Sequence, residues 1–254
     1  MTWLLTLASL ATATLSAILG MGGGILLLAV MFCFMPFGEA IPLHAAVQLV
    51  SNGTRILAYR RAADWDTIRR FLMGVVPGVM IAGLLLWSLG EVGQVEPYVK
   101  IVIGLYILTA TFLPKPKPTP GQDGTRGFTL LGLVSGTAGL TVGATGPLIA
   151  PLFARRHFVK ERLIATKAAC QMLTHVFKII AFWMLGTIDF ARFSPLLVAM
   201  AAAAVLGTFL GRRFLKHVSP AAFVALYRIA LGGAGLKVLI IDGIMKVLAT
   251  GSAS

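Results

Sequence analysis

Apolar residues form long blocks along this chain, and short polar connections separate them. The blocks span 3–35, 44–59, 69–90 and 96–113 in the first half and 126–154, 162–186, 193–211 and 220–241 in the second half. A helix needs about 20 apolar residues to cross the hydrocarbon core of a bilayer. The pattern therefore predicts an all-α polytopic membrane protein, with the lipid bilayer as its surroundings.

A polar stretch divides the chain into two similar halves. Residues 114–126, PKPKPTPGQDGTR, form neither a helix nor a core, so we expect a first membrane repeat over 1–113, a cytoplasmic linker over 114–126 and a second membrane repeat over 127–254. A shift of 123 positions aligns the halves without a gap and indicates a duplication. Matched positions include Gly20 with Gly143, Gly23 with Gly146, Gln48 with Gln171, Ser51 with Thr174, Arg55 with Lys178 and Asp66 with Asp189.

The positive charges indicate that the two halves have opposite orientations. In the first half the connection 59–70 is strongly basic, whereas the connections 36–42 and 90–97 have no Lys or Arg. In the second half the pattern is exchanged, because 154–162 and 211–217 are basic and 185–192 is nearly neutral. Lys and Arg stay on the cytoplasmic side of a membrane. The sequence thus predicts two inverted-topology repeats, a construction common among secondary transporters.

The first block of each half is interrupted by glycine. The breaks lie at 20–24 within 3–35 and at 143–147 within 126–154. In the inverted arrangement each broken block begins and ends on the same side, so each repeat is a glycine-broken helical hairpin followed by three transmembrane helices. The competing interpretation is a single kinked crossing, which gives eight spans in parallel repeats.

The breaks supply the first set of candidate binding residues. A break exposes the N–H groups and the positive dipole end of the next half-helix, and glycine permits close approach by an anion. The alternative is that these glycines only allow tight helix packing. The candidates are Gly22, Gly23, Gly24, Gly143, Thr145 and Gly146.

The second block of each half adds a polar stripe. Three residues follow the spacing i, i+4, i+7 in each half, which places them on one helix face, and a hydroxyl residue borders each stripe. A cation in an apolar helix indicates function unless it reaches the head-group layer, and that alternative stays open here. The stripe residues are Gln48, Ser51, Asn52 and Arg55 in the first half and Gln171, Thr174, His175 and Lys178 in the second half.

The remaining charges favour an anion as the cargo. We expect all nine acidic residues, including Asp64 and Asp242, to lie in or near connections, and Asp66 and Asp189 to cap or anchor the start of the third helix of each half. No mid-span carboxylate is then left to bind a cation or relay a proton. If protons are coupled to transport, His175 is the candidate, and a hydrogen-bonded interhelical histidine is the alternative.

Several other functions find no support in the sequence. The net charge of +13 comes from Lys and Arg at the ends of the blocks, which indicates topology and not nucleic-acid binding. Cys33 and Cys170 have no metal-binding or disulfide spacing, so we predict no metal and no cofactor. No HExxH, GxSxG or Walker pattern occurs, which argues against an enzyme. The oligomeric state stays open, with a homodimer as one alternative.

Three stretches resemble a known family. LGMGGGILLLAVM near the start, AYRRAADWD after the second block and GLVSGTAGLTVGATGPLIAPLF in the second half resemble the TauE/SafE family of membrane permeases, the sulfite exporters. The resemblance implies a multi-pass permease of the bacterial inner membrane that moves a small anion, sulfite or a sulfonate such as sulfoacetate, without ATP. A passive anion-selective channel is the alternative, because it uses the same basic side chains and helix ends.

Overall fold

The computed structural model describes residues 2–19, 23–88, 92–112, 127–154, 156, 158–186, 188–214 and 220–251. In these ranges the regular elements are helices: α1 (Thr2–Leu19), α2 (Gly23–Phe32), α3 (Phe37–Tyr59), α4 (Trp65–Ser88), α5 (Val92–Phe112), α6 (Gly127–Thr141), α7 (Gly146–Ala154), α8 (Lys160–Met184), α9 (Ser194–Phe214), α10 (Pro220–Leu236) and α11 (Met245–Gly251). A 3-10 turn at Arg60–Ala62 precedes α4, and a π-helical stretch, Lys237–Ile244, joins α10 to α11. The predicted linker 114–126 and Gly22 lie outside the described residues.

The lengths and outer surfaces of the helices fit a membrane. Within the described residues, three helical stretches are long and apolar enough to cross a bilayer, Trp65–Ser88, Glu161–Met184 and Ser194–Gly211. Large apolar side chains such as Met80, Leu84 and Trp87 are exposed on α4, and lipid is the surrounding that suits them. The prediction of an all-α membrane protein is confirmed.

Two helix boundaries differ from the prediction. Helix α3 begins at Phe37, within the expected connection, and continues through Pro42 because Phe37, Ile41 and Leu43 are fully buried in the core. The last helical stretch continues past its expected end at 241. Asp242 therefore lies inside a helix and not near a connection as expected, and an ion pair with Lys237 at 2.9 Å offsets the cost of its burial.

The equivalent helices α3 and α8 lie antiparallel at the centre of the molecule. The rings of Phe37 and Phe182 are 5.9 Å apart, and those of His44 and His175 are 5.8 Å apart. A step of seven residues forward on α3 thus corresponds to seven residues backward on α8. On this register Gln48, four residues after His44, is level with Gln171, four residues before His175.

The first helix of each half packs against the other half. Helix α1 contacts α9, and α6 contacts α4. Pairs of glycines at i and i+4 form these contacts, as is common between membrane helices: Gly74 with Gly78, Gly132 with Gly136 and Gly207 with Gly211. A Cβ atom at Gly78 would overlap the backbone carbonyl of Leu133. These contacts join the two halves closely.

The broken segment of the second half is a helical hairpin. The ring of Phe128, at the start of α6, lies 5.2 Å from that of Phe153, near the end of α7. The chain reverses near Gly143, whose φ is +87°. In the first half, the start of α2 lies beside the middle of α1, because a Cβ atom at Gly23 would overlap the carbonyl of Thr12. The side of the bilayer that each end faces stays a prediction.

Candidate functional site

A polar cavity lies between α1, the start of α2 and α3. It is partly open to the outside and has room for about one water molecule, and we call it the arginine cavity. Its lining combines hydroxyl, amide and guanidinium groups with a few apolar side chains, and none of the described residues that line it is a carboxylate. The lining residues are Ser9, Thr12, Ala13, Ser16, Gly23, Gly24, Leu27, Val47, Gln48, Ser51, Arg55 and Ala204.

Arg55 provides the positive charge of the arginine cavity. Its guanidinium donates to the hydroxyl of Ser16 at 2.9 Å and to Oδ1 of Asn52 at 3.4 Å. Asn52 is buried, and its Nδ2 has no hydrogen-bond partner among the described residues. No carboxylate in the described part of the chain forms an ion pair with Arg55. A cation with neutral partners in a membrane protein is expensive to maintain and therefore indicates function.

Each of the two matched glutamines lies against the start of a half-helix. A Cβ atom at Gly24 would be 3.3 Å from the side-chain amide of Gln48, and one at Gly146 would be 3.6 Å from Nε2 of Gln171. Glycine at these positions lets a polar side chain approach the N-terminal turns of α2 and α7. Because Gln48 and Gln171 are level, both half-helices begin near the central plane of the α3–α8 pair.

The polar groups of the second half have different contacts. Lys178 is fully buried, and its Nζ donates to the carbonyl of Gly143 at 2.6 Å. The methyl groups of Thr145 and Thr174 both lie beside Gly139, and the Thr174 hydroxyl donates to the carbonyl of Cys170 in its own helix. Lys178 thus secures the break between α6 and α7.

The predicted site residues form two groups and do not converge on one point. The level that Gln48 and Gln171 share is the central level of the α3–α8 pair. Arg55 and Lys178 each lie seven residues further along their own helix, about 10 Å from that level. Because the helices are antiparallel, the two cations lie on opposite sides of it. Gly23, Gly24, Gln48, Ser51 and Arg55 line the arginine cavity. His175 and Lys178 lie instead where the two halves meet.

His44 is a buried polar residue outside the set predicted from the sequence. Its Nε2 is 2.8 Å from the carbonyl of Gly24, and its ring contacts that of His175. The repeat alignment did not reveal it, because position 44 matches Lys167. The helical spacing could have done so, since His44 is one turn before Gln48 on the face that carries Asn52 and Arg55.

Asp64 connects the two halves at the end of the molecule near the start of α8. Its carboxylate accepts hydrogen bonds from Arg162 at 2.7 Å, from Arg156 at 3.4 Å and from the Thr67 hydroxyl, and its N–H donates to Thr166 at 2.9 Å. Burial would raise the pKa of Asp64. The hydrogen bond from Thr67 and the two guanidinium groups outweigh that effect and lower the pKa below its usual value.

The capping expectation fits one of the two matched aspartates. Asp189 accepts hydrogen bonds from the N–H groups of Ala191 and Arg192, just before α9. Asp66 lies inside the first turn of α4 and pairs with Arg70 at 2.9 Å. The backbone carbonyl of Asp64 accepts from the N–H of Ile68 and begins that helix, and Asp66 lies two residues further along, so it does not cap α4.

Comparison with known proteins identifies the chain. The family described as "Sulfite exporter TauE/SafE" matches residues 5–238. The chain is 26% identical over 226 residues to the "Probable inner membrane transporter protein TsaS" of Comamonas testosteroni, with 86% of this chain and 88% of that protein covered. No solved structure matches the chain. This protein is a membrane transporter and not an enzyme, and it belongs to the sulfite exporter TauE/SafE family.

Proposed function

We propose that this protein is a secondary transporter that moves a small oxyanion, sulfite or a sulfonate, across the bacterial inner membrane without ATP. The observation that carries the proposal is Arg55, whose guanidinium faces the arginine cavity and pairs with no carboxylate in the described part of the chain. The family and the inner-membrane relative support transport across that membrane.

The groups of the arginine cavity suit an oxyanion. A guanidinium presents N–H groups in a planar fork that matches two oxygens of a sulfonate or a sulfite. The hydroxyls of Ser16 and Ser51 and the amide of Gln48 supply further donors, and the N-terminal turn of α2 adds its positive dipole end. In this structure the cavity has room for about one water molecule, so a sulfite or sulfonate enters it only when the surrounding helices move apart.

The arrangement of the two halves suits alternating access. Two broken segments begin their second half-helices near one central level, as in transporters whose repeats move against each other around a fixed site. Arg55 and Lys178 lie on opposite sides of that level, so an anion passing between them meets one cation on each side. A passive anion-selective channel with the same residues is the second candidate.

Counterflow in proteoliposomes tests the proposal and separates the two candidates. We expect unlabelled sulfite or sulfoacetate trapped inside to accelerate the uptake of the labelled compound. Arg55→Gln should lower this exchange at least about tenfold, because the loss of one charged partner from a buried contact costs about 2–5 kcal/mol.

The matched control is Arg69→Gln. The side chain of Arg69 is 74% exposed, and its contact with Asp66 is a surface ion pair that contributes little. This variant should exchange the anion at the wild-type rate. Uptake that ignores trapped substrate would favour the channel, and exchange by Arg55→Gln equal to that of the wild type would overturn the assignment of the cavity.

A further inference from the structure

The two histidines at the contact between α3 and α8 have no role in the anion site described above. His44 is 1% exposed and His175 is 4% exposed, and their rings meet edge to face at 5.8 Å. The Nδ1 atoms of both rings are buried and have no hydrogen-bond partner among the described residues. A buried polar atom without a partner costs free energy, so the arrangement calls for a functional reason.

The hydrogen bond to Gly24 determines the tautomer of His44. A carbonyl oxygen only accepts, so Nε2 carries the hydrogen in its 2.8 Å contact with the Gly24 carbonyl. Nδ1 of the neutral ring therefore carries a lone pair. That lone pair is a vacant proton acceptor inside the membrane.

We propose that His44, paired with His175, binds a proton that is transported together with the anion. The proposal rests on the anion transport proposed above and adds its coupling ion. In the binding step a hydronium ion gives its proton to the Nδ1 lone pair of His44: one O–H bond breaks, one N–H bond forms, and water leaves. The resulting imidazolium retains its N–H to Gly24.

The charges around the histidine pair make the proton and the anion depend on each other. Lys178 follows His175 by three residues on α8, so its positive charge opposes a second positive charge on the histidine pair. An anion offsets that repulsion. By linkage, each ligand then strengthens the binding of the other.

Other elements packed against the pair bring no charge near it. Helices α2, α6 and α7 contain no ionisable side chain. The ionisable residues of α4 are in its first two turns, those of α9 are near its end, and Glu96 and Lys100 of α5 neutralise each other as an ion pair. Lys167 of α8 is two turns before His175. The anion is thus the main variable charge that the pair senses.

The position of His44 brings the proton close to the arginine cavity. His44 is one turn, about 6 Å, from Gln48, and it holds the carbonyl of Gly24, which lines the cavity. The proton and the anion are therefore bound at adjacent positions on α2 and α3. Charge neutralisation between neighbours accounts for the coupling without a long pathway.

Proton movement during sulfoacetate uptake tests this proposal. Sulfoacetate carries no proton of its own between about pH 6 and pH 8, because its carboxyl group titrates near the usual carboxylate range and a sulfonate is a stronger acid. With the membrane potential clamped by potassium and valinomycin, inward flow through the wild-type protein should acidify the lumen, as reported by a trapped pH dye. Uptake without acidification would overturn the proposal.

His44→Gln is the informative variant. Its side-chain amide keeps an N–H donor for the Gly24 carbonyl but has no proton acceptor of comparable basicity. We expect it to retain sulfoacetate exchange and to lose the acidification, whereas Arg55→Gln should lose both. Acidification by His44→Gln at the wild-type ratio of proton to anion would contradict the assignment.

A binding measurement on the wild-type protein gives an independent result. Calorimetric titration with sulfoacetate in two buffers of different protonation enthalpy should show the uptake of about one proton per bound anion near neutral pH. Binding without proton uptake overturns the proton site alone. An absence of exchange and binding for both sulfoacetate and sulfite overturns the proposed function, and the coupling with it.

Discussion

At the scale of single residues, two buried lysines have opposite surroundings. Lys178 is fully buried, donates to the carbonyl of Gly143 and has no carboxylate partner among the described residues. Lys100 is also buried, but its Nζ is 2.9 Å from Glu96, whose carboxylate also accepts from the N–H of Phe37. A lone buried charge does not increase stability, whereas breaking a buried pair leaves a charge uncompensated.

The two lysines should therefore respond differently to the same substitution. We expect Lys178→Met to lower anion exchange at least about tenfold and to lower Tm less than Lys100→Met, because it removes a buried charge without a carboxylate partner together with one hydrogen bond to Gly143. Lys100→Met should lower Tm, because Glu96 loses its partner. Counterflow and thermal unfolding in detergent measure both effects. Wild-type exchange by Lys178→Met would show that its charge does not meet the anion.

Asp64 gives the molecule a defined sensitivity to acid. Its pKa in the folded protein lies below the usual value of 3.8, so its ionised form is favoured by folding. This contribution to stability is present above about pH 4 and is lost as the pH falls through the folded pKa. Asp64→Asn should lower Tm at pH 7, and the difference in Tm from the wild type should shrink as the pH falls toward 3.

Asp66→Asn is the matched control for this measurement. Asp66 is two residues away, and its ion pairs with Arg69 and Arg70 are exposed. The Asp66→Asn variant should have the same Tm as the wild type at pH 7 and near pH 3. A difference between Asp64→Asn and the wild type that stayed constant down to pH 3 would exclude titration of Asp64 as the cause.

At the scale of helices, the sequence predicted the elements better than their contacts. The apolar blocks located the helices because lipid requires a run of apolar side chains and internal backbone hydrogen bonds. The start of α3 at Phe37 was not predicted, since burial of Phe37 and Ile41 overrides the local effect of proline and glycine. The π-helical stretch at 237–244 was not predicted either. The register that places His44 against His175 has no signal within a single helix.

The same distinction applies to the candidate site. The stripe of Gln48, Asn52 and Arg55 was predictable from helical spacing. The contribution of α1 to the cavity was not predictable, because Ser9, Thr12 and Ser16 look in the sequence like ordinary small packing residues. Which polar residues share a cavity depends on how the helices pack, and that is a property of the whole fold.

The break between α6 and α7 provides a test at this scale. Gly143 has a φ of +87°, and a Cβ atom there would lie 2.7 Å from the Leu28 side chain and 3.0 Å from that of Ile41. Gly186 also has a positive φ, +64°, but open space around it. The left-handed conformation costs a residue with a Cβ atom about 1–2 kcal/mol.

Alanine at both positions should thus separate backbone strain from disruption of the break. Gly143→Ala and Gly186→Ala should both lower Tm, and Gly143→Ala should lower it more. Only Gly143→Ala should lose anion exchange, because the carbonyl that Lys178 binds would move. Equal exchange by both variants would mean that the geometry of this break does not affect transport.

At the scale of the whole molecule, the halves depend on each other. Helix α1 packs on α9 and α6 packs on α4, so the first helix of each half completes the other half. Helices α3 and α8 run antiparallel between them, and Asp64 binds Arg156 and Arg162 across the boundary. Movement of one half against the other during transport must therefore change these contacts, while the α3–α8 register determines the central level.

The antiparallel centre and the charge pattern together predict which ends face the cytoplasm. Asp64 and Arg162 are in contact, so the starts of α4 and α8 lie at one end of the molecule, and the basic residues around them assign that end to the cytoplasm.

In a protein with Cys33→Ala and Cys170→Ala, single cysteines at the exposed positions Arg69 and Val159 should react with an impermeant maleimide from the cytoplasmic side. Cysteines at the exposed positions Ser88 and Ala191 should react from the opposite side, because α4 and α8 each cross the membrane once. Labelling of all four positions from one side would contradict the crossing of these helices, and an exchanged pattern would contradict the orientation that the charges predict.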